Sequence, residues 1–175
     1  HRIDKDTSGL LVVAKTPDAK THLGLQFFNK TTKRKYNALV WGLIEQDNGT
    51  IEGNIARNPK DRMQMTVFSD PEIGKHAVTH YHVLERIGYV TFVECVLETG
   101  RTHQIRVHMA HLGCPVLGDE MYGRKSERIG RQALHCRMIS FPQPVSREEV
   151  TVHCPLMPDM EILCKELGFH NSQNE

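Results

Sequence analysis

The chain opens with HRIDKDTSGLLVVAK (residues 1–15), a polar turn followed by a short apolar run. The run at 10–14 is too short for a helix and is bounded by polar residues, so we predict a buried β-strand there. Gly9 precedes the run and gives the backbone the freedom to bend into it. The remainder of the chain is expected to be organised around this turn and strand.

The turn places a carboxylate at the entrance of the predicted strand. The hydroxyl groups of Thr7 and Ser8 can hydrogen-bond to nearby backbone groups and close the turn. Asp4 then lies between two cations, Arg2 and Lys5, which favour the charged carboxylate. An ionised aspartate at a fixed position can act as a nucleophile or an electrostatic anchor, and it can equally be a structural residue of a charged turn.

Length and composition limit the class of protein. A chain of 175 residues is long enough for one domain with a complete core. The content of 39% apolar and 25% charged residues is typical of a globular protein, and no apolar run reaches the length of a membrane span, so we expect no membrane association. The five cysteines form no C-x-x-C pair and indicate free thiols in the cytoplasm rather than disulfides or a zinc site.

The charges are unevenly distributed although the net charge is only +1. Residues 1–40 carry eight Lys and Arg against three Asp and Glu, and residues 101–140 carry seven against three. The intervening and final segments are acidic. If the two basic segments fold onto one face, this nearly neutral protein presents a basic surface suited to RNA.

The pattern of apolar residues and turn signals predicts three helices and several strands. Helices are predicted at 17–29, with Thr16 and Pro17 at its start, at 102–112 and at 158–168. Strands are predicted at 33–43, 63–68, 75–86, 89–98, 133–141 and 149–153, with only short strands in 44–62 and an irregular connection at 114–131. Because strands dominate and most are joined as hairpins, we predict an α+β fold: a mixed, mostly antiparallel sheet with flanking helices.

Three stretches resemble the motifs of one enzyme family. HRIDKDTSGL (1–10) resembles the H-R-L-D-x-x-T-S-G motif of the RluA-type pseudouridine synthases, with Ile3 in place of leucine. KYNALVWG (35–42) and GRTHQIRVH (100–108) resemble the second and third motifs of that family. Segments at 118–123 and 131–135 also resemble family sequences; we expect them to shape the loop and strand behind the third motif, and we assign them no chemistry. The resemblance implies a pseudouridine synthase catalytic domain over 1–170, truncated at its N-terminus, and a loose tail at 171–175.

The resemblance also implies roles for individual residues. Asp4 is the implied nucleophile, attacking either the sugar or the uracil ring. Tyr36 would stack on the uracil and could remove a proton from it. Arg106 would pair with Asp4 from within about 4 Å. Ile105 would line the uracil pocket, and Arg2 would fill the space that a flipped base leaves in the RNA.

A wider RNA-contacting set and a substrate class follow from the same resemblance. The set comprises Arg2, Lys35, Arg101, His103, Gln104 and Ile105. Segments 58–65 and 74–81 resemble the branch that acts on large-subunit ribosomal RNA, so we expect this RNA as the partner of a monomeric chain, with transfer RNA as the alternative substrate. The implied reaction is an isomerisation by base flipping, for which no cofactor and no metal are expected.

Two other classes of function compete with this interpretation. A noncatalytic RNA-binding module of the same fold would have no reason to keep all three catalytic candidates. A zinc hydrolase is suggested by three histidines that lie close together in sequence, at His103, His108 and His111. Their spacing is not that of H-E-x-x-H, so we interpret them as structural or RNA-contacting residues.

Overall fold

The computed structural model describes residues 1–170, which form one eight-stranded sheet and three helices. In chain order the elements are β1 (Ser8–Gly9), α1 (Pro17–Phe28), β2 (Lys33–Trp41), β3 (Asn48–Arg57), β4 (Met65–Phe68), β5 (Lys75–Ile87), β6 (Val90–Leu97), α2 (Gln104–His111), β7 (Leu134–Pro142), β8 (Glu149–His153) and α3 (Pro158–Leu167). The strand order is β1-β7-β2-β6-β5-β3-β4, with β8 also paired to β7. Only the β1–β7 pair is parallel within the described residues, which confirms the predicted α+β class. The tail predicted at 171–175 lies outside the described residues.

The central strands β2 and β6 form the middle of the core. Consecutive residues are buried along both strands, so each strand is covered on both faces and has a nearly continuous apolar sequence. Leu39 of β2 and Phe92 of β6 are fully buried, and Met109 of α2 and Leu163 of α3 belong to the same cluster. None of the helices within residues 1–170 is long and apolar enough to cross a membrane.

The prediction of a strand at 10–14 is wrong. Only Ser8–Gly9 pairs with β7, and the Leu10 N–H then donates to the Cys136 carbonyl at 2.9 Å. From Met138 onward the same edge of β7 is occupied by β8, so residues 10–14 find no backbone partner there and leave the sheet. Two of their apolar side chains are largely exposed, Leu11 and Val13.

Segment 44–62 contains one long strand, and the prediction of short strands is also wrong. The ten residues of β3 pair with β5 on one side and with β4 on the other. Its glycines mark close approach between strands: a Cβ on Gly49 would lie 2.3 Å from the hydroxyl oxygen of Tyr81 on β5. The strand therefore continues through positions that resemble breaks in the sequence.

The helix predicted over 102–112 is shorter than expected, because α2 begins at Gln104. The N–H of Gln104 donates to the Arg101 carbonyl at 3.1 Å, which closes a turn ahead of the helix. His103 in this turn has a left-handed φ of 55°, which a right-handed helix cannot include. The other predicted elements are confirmed with boundaries that shift by one or two residues.

Candidate active site

A cleft of about 370 Å³ opens where the N-terminal turn, the end of α1, β2 and the turn before α2 meet. Its wall therefore contains residues from both basic segments. Six of the predicted site residues line it: Arg2, Asp4, Tyr36, Arg101, Gln104 and Ile105. The other three predicted residues lie outside its wall: Lys35, His103 and Arg106.

Asp4 lies in the turn before β1 with its side chain only 16% exposed. The Thr7 N–H donates to the Asp4 carbonyl at 3.1 Å and closes the turn. The Gln132 amide donates to two acceptors of the same turn, at 2.7 and 3.0 Å. The Ser8 hydroxyl, predicted to close the turn, instead bonds to His135 Nδ1 at 2.9 Å. These contacts fix the backbone on both sides of the carboxylate.

Arg106 projects from the first turn of α2 and lies behind Asp4. Its Nη1 is 3.6 Å from Asp4 Oδ2, and its side chain is 7% exposed. The predicted proximity of the two residues is therefore confirmed. At this distance the contact is an ion pair rather than a hydrogen bond, so Arg106 places positive charge beside Asp4 without taking up its oxygens.

A second carboxylate, Asp119, holds Arg106 and is absent from the predicted site residues. Arg106 donates from Nε to Asp119 Oδ2 at 2.6 Å and from Nη2 to Oδ1 at 3.0 Å. Burial by itself lowers the pKa of Arg106, but the hydrogen bonds and charge of Asp119, aided by Asp4, outweigh it and raise that pKa. The guanidinium stays charged, and its remaining nitrogen, Nη1, faces Asp4.

Tyr122 and His103 complete the surroundings of Arg106. The backbone N–H of Tyr122 donates to Asp119 Oδ1 at 3.2 Å, and the tyrosine ring lies 5.1 Å from the Arg106 guanidinium carbon. The Tyr122 hydroxyl accepts from the Met65 N–H at 2.8 Å and bonds to His103 Nδ1 at 2.7 Å. Burial lowers the pKa of His103, so its ring is neutral at pH 7. His103 therefore supports Arg106 through Tyr122 instead of facing the cleft.

One sequence signal could have identified Asp119 and Tyr122. The segment GDEMYG (118–123) combines an aspartate suited to an Asx turn with a preceding glycine, and Gly118 has a φ of 79°. The segment therefore indicates a fixed turn. The resemblance of this segment to a family sequence predicted that it lies behind the third motif, and its Asp119 does bond to Arg106 of α2.

Tyr36 lies on the face of β2 that lines the cleft and is 5% exposed. Burial raises the pKa of its phenol, with a smaller upward contribution from Cys136 and a partial opposing effect of Arg34. The hydroxyl therefore keeps its proton at neutral pH. The hydroxyl is hydrogen-bonded to the Cys136 side chain, so what Tyr36 offers the cleft is its aromatic face.

Three predicted RNA-contacting side chains are engaged within the protein. Lys35 points to the opposite face of β2 from Tyr36, and its Nζ pairs with Glu94 Oε1 at 3.1 Å, so its position does not support contact with a base in the cleft. Gln104 is 3% exposed and makes four hydrogen bonds to neighbouring groups of the protein. Arg101 Nε donates to a backbone carbonyl of β5 at 2.8 Å. The side chains of Gln104 and Arg101 therefore shape the cleft wall.

The remaining histidine of the α2 core is also engaged. His108 is fully buried, and its Nδ1 lies 2.8 Å from the Thr79 hydroxyl. Burial lowers the pKa of His108 to about 4. Over residues 1–170, no three His, Cys, Asp or Glu side chains are grouped so that they could hold a metal ion.

Comparison with known proteins identifies relatives over almost the whole chain. The family model described as RNA pseudouridylate synthase matches residues 1–111. The uncharacterized RNA pseudouridine synthase YlyB of Bacillus subtilis is 54% identical over 95% of this chain and 54% of its own length. The ribosomal large subunit pseudouridine synthase D of Zymomonas mobilis is 42% identical over 98% of this chain and 56% of its own length.

The same similarity extends to solved structures. The human RNA pseudouridylate synthase domain containing 1 superposes with a TM-score of 0.79 at 30% identity, over 95% of this chain and 78% of that one. The chain spans about half the length of the curated relatives it matches.

Proposed function

The chain belongs to the RNA pseudouridylate synthase family, and on that premise we propose that it converts uridine to pseudouridine in RNA. One observation carries the proposal: Asp4 and Tyr36 line a single cleft, with Arg106 Nη1 3.6 Å behind the Asp4 carboxylate. The three residues are separated by up to about a hundred positions in sequence, yet they meet as a nucleophile, an aromatic platform and a fixed counter-charge.

The reaction is an isomerisation of the target nucleotide. The bond between C1′ of the ribose and N1 of the uracil breaks, the free base turns, and a bond forms between C1′ and C5. The C5 proton is lost and N1 gains one, so atoms and electrons balance without another reactant. Asp4 attacks either the sugar or the ring to open the first bond, and is expelled as the product forms.

Tyr36 serves this sequence of steps as a platform for the base. Flipping a uridine out of its stack costs a few kcal/mol, and stacking on an aromatic side chain returns roughly 1–3 kcal/mol. The raised pKa of its phenol opposes the formation of a tyrosinate. Stacking is therefore the role that its environment favours, ahead of proton removal.

Large-subunit ribosomal RNA is the substrate that we propose. Several relatives at 42–44% identity are named ribosomal large subunit pseudouridine synthase D. The cleft wall also draws on both basic segments of the chain, which suits a polyanion. Assays on ribosomal RNA and transfer RNA from cells that lack the gene would separate these two substrates.

The decisive variant is Asp4→Asn in the full chain. Asparagine keeps the size of the side chain but not its anionic nucleophile, so pseudouridine formation should vanish while RNA affinity stays within about tenfold, or ~1.4 kcal/mol. The matched control is Asp6→Asn, in the same turn, because an asparagine tolerates the left-handed φ of 67° found there. Pseudouridine yield and RNA binding are measured on the same preparations. Activity near that of the wild type in folded Asp4→Asn would refute the proposal.

A further inference from the structure

Arg34 lies in the same cleft, two residues before Tyr36 on the same face of β2. Arg34 is only 8% exposed, and its Nε is buried without a hydrogen-bond partner. Its guanidinium carbon lies 5.3 Å from the ring of Phe27. Among residues 1–170, no carboxylate forms an ion pair with Arg34. Arg34 is thus a nearly buried cation without a counter-charge.

The fold makes specific room for this guanidinium. A Cβ on Gly100 would lie 2.7 Å from Arg34 Nη1, so any larger residue at that position would displace the side chain. The φ of Gly100 is not positive, so space rather than backbone conformation explains the glycine. The start of the GRTHQIR stretch is therefore fitted around Arg34.

The charges of the cleft wall are unbalanced. Its lining holds three arginines, Arg2, Arg34 and Arg101, against the single carboxylate of Asp4. Asp4 already lies against Arg106, which is itself held by a second carboxylate. An uncompensated buried charge is unfavourable, so an anion that enters the cleft and pairs with Arg34 would be favoured.

We propose that Arg34 binds a backbone phosphate of the nucleotide whose base enters the cleft. This inference rests on the proposed function, because RNA supplies the anion. The planar guanidinium fork matches phosphate oxygens. With the base against Tyr36 and the sugar near Asp4, a phosphate at Arg34 holds the nucleotide at a third point and orients it for attack.

The test measures how RNA affinity depends on salt. The probe is the shortest ribosomal RNA transcript that the wild-type full chain modifies, and the variant is Arg34→Gln. Loss of one phosphate contact should weaken binding about 10- to 100-fold at low salt and lower the slope of log Kd against log salt concentration by about 0.7–0.9. The matched control is Lys33→Gln, which removes the same charge from the other face of β2, where Lys33 pairs with Glu149; its slope should stay that of the wild type.

Two further measurements separate the possible outcomes. Arg34→Lys should keep the wild-type slope with reduced affinity, because the charge remains and the fork is lost. The melting temperature of Arg34→Gln should equal or exceed that of the wild type, since a buried unpaired charge is removed; a marked drop would make Arg34 a structural residue and overturn the inference. If Arg34→Gln weakens binding but leaves the salt slope unchanged, Arg34 contacts an uncharged edge of the base rather than a phosphate. That result would also overturn the inference. If the wild-type protein forms pseudouridine, these results test the role of Arg34 alone. If the wild-type protein forms none, the proposed function itself is refuted.

Discussion

The ion pair between Arg106 and Asp119 has a counterpart with the same geometry and a different environment. Arg131 donates to Asp159 at 2.7 and 2.9 Å, as Arg106 donates to Asp119 at 2.6 and 3.0 Å. The Asp119 side chain is 1% exposed, whereas that of Asp159 is 44% exposed. Burial, rather than the number of hydrogen bonds, should therefore decide how much each ion pair contributes to the free energy of unfolding.

Replacing each aspartate by asparagine tests this difference. Asp119→Asn removes the carboxylate paired with the buried guanidinium, leaves Asp4 at 3.6 Å as its counter-charge, and should lower the free energy of unfolding by ~3–5 kcal/mol. Asp159→Asn should lower it by about 1 kcal/mol or less. Because Asp119 also positions Arg106 behind Asp4, its variant should lose kcat at temperatures where it remains folded. Urea unfolding and single-turnover kinetics measure both effects; a destabilised Asp119→Asn with unchanged kcat would show that Asp119 has no positioning role.

The residues of the site differed in how well they could be predicted. Asp4, Tyr36 and Arg106 each lie inside a contiguous stretch that resembles a family motif, and this resemblance selected them where their local chemistry alone did not. Asp119 could not be assigned because its role depends on the path of the irregular connection that brings it to α2. Arg34 resembled one more cation in a basic run, and only its burial beside Gly100 distinguishes it.

At the scale of elements, the edge of β7 decides where the N-terminal turn can lie. The two residues of β1 take the part of this edge that β8 leaves free. Gly9 lies at the junction with a φ of 105°, and a Cβ there would be 2.2 Å from the Cys136 carbonyl oxygen. No other residue fits this close approach without moving the turn that carries Asp4.

Two glycine substitutions should have opposite effects on stability. Gly9→Ala should lower the free energy of unfolding by at least ~1–2 kcal/mol because of its positive φ and the clash with β7. It should also reduce kcat, since the turn that is strained in this variant carries Asp4, the proposed nucleophile. Gly24→Ala, in the middle of α1 with no atom within 4 Å of the added Cβ, should raise stability by about 0.5–1 kcal/mol. Thermal unfolding of both variants provides the comparison, and a Gly9→Ala protein as stable as the wild type would contradict this explanation.

The errors in the predicted strands have one physical cause. An apolar run forms a strand only where a neighbouring strand has a free edge, and residues 10–14 meet an edge that β8 occupies. In β3 the reverse holds, because two partners sustain a strand across glycines that would otherwise interrupt it. Local composition predicts helices and hairpins well, but it does not record which edges remain available.

At the scale of the whole molecule, buried histidines make stability depend on pH. His108 and His135 are each at most 1% exposed, and burial lowers the pKa of both, to about 4 for His108. On unfolding, each ring regains an ordinary pKa of about 6.5 and is protonated at pH values below 6.5. The unfolded state therefore binds more protons than the folded state between pH 6.5 and 4. The contribution of the neutral histidines to the free energy of unfolding is fully present above this range and is lost as the pH falls through it.

The predicted loss is about 1.4 kcal/mol per pH unit for His108 within that window, and His135 adds to the loss in the same direction. Urea unfolding at pH values from 7 to 4 should show this decline, and His108→Gln should make the curve shallower whatever its effect on absolute stability. The control is His153→Gln, which replaces an exposed histidine of β8 and should keep the wild-type slope. Equal slopes for wild type and His108→Gln would contradict the assignment.

The parallel pairing of β1 with β7 joins Ser8 to His135, partners separated by 127 residues of chain. Such long-range contacts form late and slow the folding of a domain. During synthesis at about 5–20 residues per second, the turn carrying Asp4 waits roughly 6–25 seconds for β7 to be made. A nascent chain that ends before β7 holds the carboxylate but has no strand against which to set it. Assembly of the cleft is therefore a late event in the biogenesis of the protein, because it requires β7.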